Sequence, residues 1–180
     1  MIEARFTNEM KDILKGLKGF ELVGYSATEF YAGKTVHDGK VYLHVGDSTI
    51  KISNEEKQIT WFKNKDLSDR ENIFCFHCEK FGCVQKVDTV LIQEKIENIE
   101  LVTDYIKIPQ KEYEIALDMA LIIVTGMRRY VISRGWYFEE CLDINVDKNY
   151  DDIYSINQVV EEWDNYGEWK VDVKRVIEEL

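Results

Sequence analysis

From Phe20 into the last third of the chain, apolar residues recur at every second position: Val41, Leu43 and Val45, then Ile50 and Ile52, then Ile59 and Trp61. A strand sends successive side chains to opposite faces, so this period specifies half-buried β-strands. The residues between the runs supply turns. Asp38-Gly39, Gly46-Asp47-Ser48 and Asn54-Glu55-Glu56 tolerate left-handed backbone or bond to it, which predicts adjacent antiparallel pairing with Val36 facing Val41. A second hairpin is expected from Ile73 to Cys78, the loop Glu79 to Gly82 and the run that begins Cys83-Val84.

Further along, Ile115, Leu117, Met119, Leu121 and Ile123 alternate strictly, and a strand over Met119 to Thr125 is favoured over a helical stripe. Arg129 to Ser133 and Trp136 to Val146 read as two more strands. The spacing of Ile92, Ile96 and Ile99 predicts a turn of helix over Gln93 to Asn98. At the start, Met10, Ile13, Leu14 and Leu17 fall at helical spacing behind Thr7 or Asn8 as cap. Near the end, Ser155 and Gln158 have capping-box spacing ahead of the apolar face Ile156, Val159, Val160 and Trp163. Trp169, Val171 and Val173 then alternate into a last strand. The expected fold is α+β and β-dominated, a mostly antiparallel meander arranged as a sandwich or open barrel, with strand order undetermined.

The 180 residues suit a single globular domain, 1–180, and one proline with no low-complexity tract leaves no visible linker. A balance of 34 acidic against 23 basic residues gives −11, which repels phosphate backbones and anionic lipid. A nucleic-acid or membrane role is therefore disfavoured. The longest uncharged apolar stretch, Met119 to Met127, is far short of the ~20 residues that cross a bilayer. The first residues lack a signal-peptide pattern, and four cysteines do not make a disulfide framework, so a soluble cytoplasmic protein with reduced thiols is expected.

Four groups carry possible chemistry. Cys75, His77, Cys78 and Cys83 have ligand types that zinc takes, but no second ligand pair follows, and on a strand Cys75 and His77 face opposite to Cys78. A dithiol at Cys75 and Cys78 lacks the helix N-terminus that activates such motifs. Asp143, Asn145 and Asp147 resemble the opening of a calcium loop, yet Lys148 stands where the turn needs glycine and Tyr154 where the bidentate glutamate belongs. Arg128, Arg129 and Arg134 lie beside Tyr130, Trp136 and Tyr137, and Arg with aromatic residues dominates binding hot spots. Arg128, Arg134, Trp136 and Tyr137 are accordingly the candidate partner-binding residues. No nucleophile elbow, phosphate loop or metalloprotease motif is present, and the residues call for no metal and no cofactor.

Charge without a catalytic motif favours a non-enzymatic binding protein, an acidic inhibitor or sequestering partner of a basic protein. The alternative is a small enzyme or ligand-binding module whose site is assembled from residues distant in sequence.

Overall fold

A computed structural model of the protein describes residues 1–60, 70–82, 87–135, 139–164 and 167–180. Among them are eleven strands in one sheet, nine in the order β3-β10-β9-β8-β7-β2-β4-β5-β6 and two off this path, β1 against β8 and β11 against β7. The fold is β-dominated and antiparallel, with a helix near the start and another before the last strand, as the periodicity predicts. The single parallel pairing among the described residues sets β1 (Ile2–Ala4) against β8 (Tyr113–Thr125). No described helix is long and apolar enough to cross a membrane.

The sheet is organised by β7 (Asp88–Ile108), a strand of 21 residues. Its first part pairs with β2 (Glu21–Ala27), beyond which lie β4 (Lys40–Val45), β5 (Ser48–Thr60) and β6 (Arg70–Phe81). Its second part pairs with β8 and with β11 (Asp172–Glu179). Beyond β8 come β9 (Arg129–Ser133), β10 (Leu142–Val146) and the short β3 (Thr35–Val36). The two halves enclose a core that includes Leu22, Leu43, Ile50 and Ile52 from one side and Ile99, Leu101, Leu121 and Ile132 from the other. A second core lies on the opposite face of β7 and β8, where Ile106, Leu117, Met119 and Ile122 are covered by Tyr150, Tyr154, Val159 and Trp163. Each large aliphatic side chain so buried contributes roughly 1.5–3 kcal/mol of transfer free energy.

Burial on both faces explains the uninterrupted apolar run Met119 to Val124. The strict alternation read from Ile115 to Ile123 does not describe one face, however. A register shift between Val102 and Thr103 leaves Met119 as an extra residue on β8, so Leu117 and Met119 join the second core and Leu121 and Ile123 the first. The helical turn expected over Gln93 to Asn98 is likewise strand. Ile96 and Ile99 both point into the first core at an odd separation because a second bulge lies between Ile96 and Asn98. Gln93, at φ 62°, sits in another such irregularity opposite β2.

Two expected turns are corrected. β3 pairs with β10, setting Val36 against Leu142 in place of Val41. Gly39, at φ 59°, serves a different purpose: an added Cβ would come within 2.4 Å of the Glu140 carbonyl, so glycine lets the connection before β10 lie directly on it. Asn54 is the other half of this tie, donating its side-chain amide to the carbonyls of Glu139 and Glu140 at 2.8 and 3.1 Å. Its neighbours do not turn, since β5 continues through Thr60. The two-residue hairpin is Gly46-Asp47, between the paired Val45 and Ser48, with Gly46 at φ 52°.

Helix α1 (Asn8–Lys15) starts at a Thr7 cap, whose hydroxyl accepts from Met10 N. After α2 (Tyr150–Ile153), α3 (Ile156–Trp163) carries the capping box of Ser155 and Gln158. Leu14 anchors α1 on the first core, and Val159 with Trp163 anchors α3 on the second.

Candidate functional site

The arginine cluster is dispersed by the fold. Arg128 stands in the exposed β8–β9 turn next to Met127, which is 81% exposed, and donates to Asp147 at 3.2 Å. Arg134 is fully buried, donating to the carbonyls of Phe74 and Asp118 with its guanidinium 5.4 Å from the Phe76 ring centroid. These bonds join β6 to β8 through a side chain that has no solvent-exposed surface. Trp136 and Tyr137 lie outside the described residues.

The cysteines also separate. Cys75 packs toward the second core and Cys78 into the first, on opposite faces of β6, and Cys83 lies outside the described residues. Burial pushes the Cys78 thiol up to about 12, with Glu79 adding to the effect. Thiolate is the alkylating form, so burial and the raised pKa together keep Cys78 unreactive in the folded protein. Maleimide followed by peptide mapping is expected to label Cys141 in the native protein and Cys78 only after denaturation. Native labelling of Cys78 at the Cys141 rate would contradict its placement in the core.

Asp143, Asn145 and Asp147 lie along or just beyond β10 and do not converge. Asp143 accepts from the Thr35 hydroxyl at 2.5 Å, Asn145 is buried, and Asp147 takes Arg128 and the amide of Arg129. Among the described residues no three His, Cys, Asp or Glu side chains form a group that could hold a metal ion.

Two contacts join residues that the sequence keeps apart. Ser26 Oγ lies 2.8 Å from His44 Nε2, the spacing of a nucleophile and its base. Ser26 is fully buried, however, on a strand paired along both edges, so its backbone amides serve the ladders and not an oxyanion. Cys141 Sγ lies 3.5 Å from His37 Nδ1. Partial burial first, and then Glu139, Asp143 and Glu140, hold that thiol above its ordinary range, the reverse of the cationic setting that activates cysteine.

Charge is concentrated in one stretch. Between Glu139 and Glu168 ten acids stand against one base, Lys148, a surplus of nine within a total of −11. Most of these carboxylates already have partners: Asp151 takes Arg175, Glu162 the Tyr154 hydroxyl, and Asp164 the amide of Trp169. This layer is acidic but largely satisfied.

On a different surface the acids have no ion-pair partner among the described residues. Between α1 and the Gly46-Asp47 turn lies a cleft of about 530 Å³. Ile13, Leu17, Val45 and Ile50 form its apolar floor, and Glu9, Asp12 and Asp47 its rim. Asp12 and Asp47 have no ion-pair partner among the described residues, and Lys80 is the one base in the lining. The Glu9 carboxyl is held below its ordinary range by its own backbone N–H and then by the Thr7 hydroxyl, so it stays ionised. Phe20, 57% exposed, stands at the same opening. Helix α1 brings Glu9, Asp12 and Ile13 to one side with Leu17 in the turn that follows it, while the tight turn holds Asp47 opposite. The sequence signal was no more than Glu9 and Asp12 on a helix that also carries Lys11 and Lys15, as many surface helices do; only the fold sets Asp47 across from the two acids.

Comparison of the chain with protein-family models, with curated proteins and with solved structures finds no match.

Proposed function

We propose that the protein binds a basic protein partner and receives a lysine or arginine side chain of that partner in the cleft between α1 and the β4–β5 turn. The observation that carries this reading is the pairing of carboxylates that have no ion-pair partner among the described residues with an apolar floor. A long cationic side chain has the same two parts, a hydrocarbon stem that prefers apolar surface and a charged head that seeks carboxylate. The exposed Phe20 ring adds a face on which a guanidinium can stack. The surplus charge of the Glu139 to Glu168 layer contributes at longer range, steering a basic partner toward the molecule. An enzyme is the weaker alternative, since neither Ser26 with His44 nor Cys141 with His37 is activated.

The test is an amide chemical-shift titration with a blocked arginine, N-acetyl-arginine amide. Shifts are expected around Asp12, Ile13, Asp47 and Ser48, falling as salt is added, with none from blocked norleucine, which has the stem without the charge. The double variant Asp12→Lys, Asp47→Lys should lower the affinity at least tenfold, by roughly 1.4 kcal/mol or more. Glu161→Lys on the satisfied layer should leave it unchanged. Shifts spread evenly over both acidic surfaces would refute the assignment.

A further inference from the structure

Strand β11 pairs with β7 along one edge, and among the described residues no strand pairs with its other edge. The amide of Leu180 donates to the Ile99 carbonyl at 2.9 Å, and the register of Glu179 with Glu100 sets Leu180 opposite Ile99. Hydrogen-bonded and non-bonded pairs alternate along an antiparallel ladder. Even-numbered residues of β11 therefore bond to β7. The N–H and C=O groups of Val173, Arg175, Ile177 and Glu179 point outward. This edge runs through eight residues without a register shift and contains no proline, so two of the usual protections of an open edge are missing. Ile177, 53% exposed, lies within it.

We infer that this edge pairs antiparallel with the same edge of a second copy of the chain, about a twofold axis at Val176. The order of charges along the strand selects that occupant. Lys174 and Glu178 are equidistant from Val176, so reversing the strand against itself sets Lys174 opposite Glu178 of the partner subunit, twice by symmetry, where it adds to the bonds that Glu178 already accepts within its own chain from Lys11 at 2.6 Å and Arg5 at 3.3 Å. The same register sets Arg175 opposite Ile177 and Val173 opposite Glu179. Each outward-facing backbone group then meets another outward-facing one. Two chains of charge −11 repel at long range, so the pairing is weak and is measured at about 0.15 M salt, where the Debye length is ~8 Å.

Light scattering on the full chain, from about 1 µM to about 500 µM, should show the mass doubling as concentration rises. Hydrogen exchange over the same range should slow at the amides of Arg175 and Ile177. Ile177→Pro removes no bond to β7, because that N–H points outward, and it should raise the dimer dissociation constant at least tenfold. Lys174→Glu, which sets like charges opposite each other, should do the same. Circular dichroism checks that each variant is folded; if the proline variant is not, Lys174→Glu and the exchange data on the unaltered chain decide. A mass that stays monomeric throughout overturns the proposal. So does a dimer in which the Ile177 amide still exchanges fast.

Discussion

Replacing Arg175 by alanine is expected to lower folding stability by about 3–5 kcal/mol, read as a fall in the urea midpoint at unchanged slope. The Arg175 side chain is 4% exposed and grips Asp104 with two hydrogen bonds of 2.7 Å. It also donates to Asp151 and to the Tyr154 carbonyl, each at 2.6 Å, over the Tyr150 ring. The guanidinium pKa is raised by the Asp104 hydrogen bonds and charge, which outweigh the larger single effect of burial, so the cation persists throughout the accessible pH range. Removing it strands a carboxylate with no solvent exposure, and it detaches α2 from β11. The cost arises mainly from that orphaned charge. Asp104→Leu combined with Arg175→Met should therefore recover stability to within about 1 kcal/mol of the original. A single variant that loses less than about 1 kcal/mol would show that water reaches Asp104.

Asp118→Ala should cost about 3 kcal/mol by a different route. The Asp118 carboxylate is fully buried and accepts from Phe6 N at 2.6 Å, from the Thr103 hydroxyl at 2.6 Å and from Arg5 Nε at 3.2 Å. Alanine leaves a buried amide and a buried hydroxyl unsatisfied, each worth roughly 1–3 kcal/mol. Asp118→Asn keeps an acceptor and should recover part of the loss. Phe6 lies between β1 and α1, so faster exchange of its amide should accompany the loss of stability. An alanine variant with unchanged exchange at Phe6 would contradict the bond.

The elements were legible wherever a local rule decides them. Thr7 and Ser155 cap their helices with their own hydroxyls, and Gly46-Asp47 closes a hairpin through its own backbone. Pairing was not legible where a distant residue decides it. Val36 meets Leu142 in place of Val41, and nothing near Asp38-Gly39 announces the Glu140 carbonyl that lies against Gly39. The bulges at Met119 and near Ile96 conceal themselves by shifting the period by one residue, which makes a strand imitate a helix at one place and a single face at another. The candidate arginines illustrate the same limit. Arg128 and Arg134 look equivalent in composition, yet one is at a turn and the other, six residues further on and just past the far end of β9, is enclosed between β6 and β8. The cleft was hidden because Asp12 and Asp47 are 35 positions apart and neither belongs to a motif.

The length of β7 also bears on the sequence of events as the chain acquires its shape. Strands β2, β4, β5 and β6 can find one another from residues 21 to 81, each close to its neighbour along the polypeptide. The other half has no template until residues near Ile108 are available, and its last pieces close loops of more than a hundred residues when β1 reaches β8. Loop closure of that span precedes the contacts that reward it, which places acquisition of the native state in the slow regime of milliseconds to seconds. Until β7 arrives, the flank of β2 that will pair with it lies open to association with the wrong neighbour.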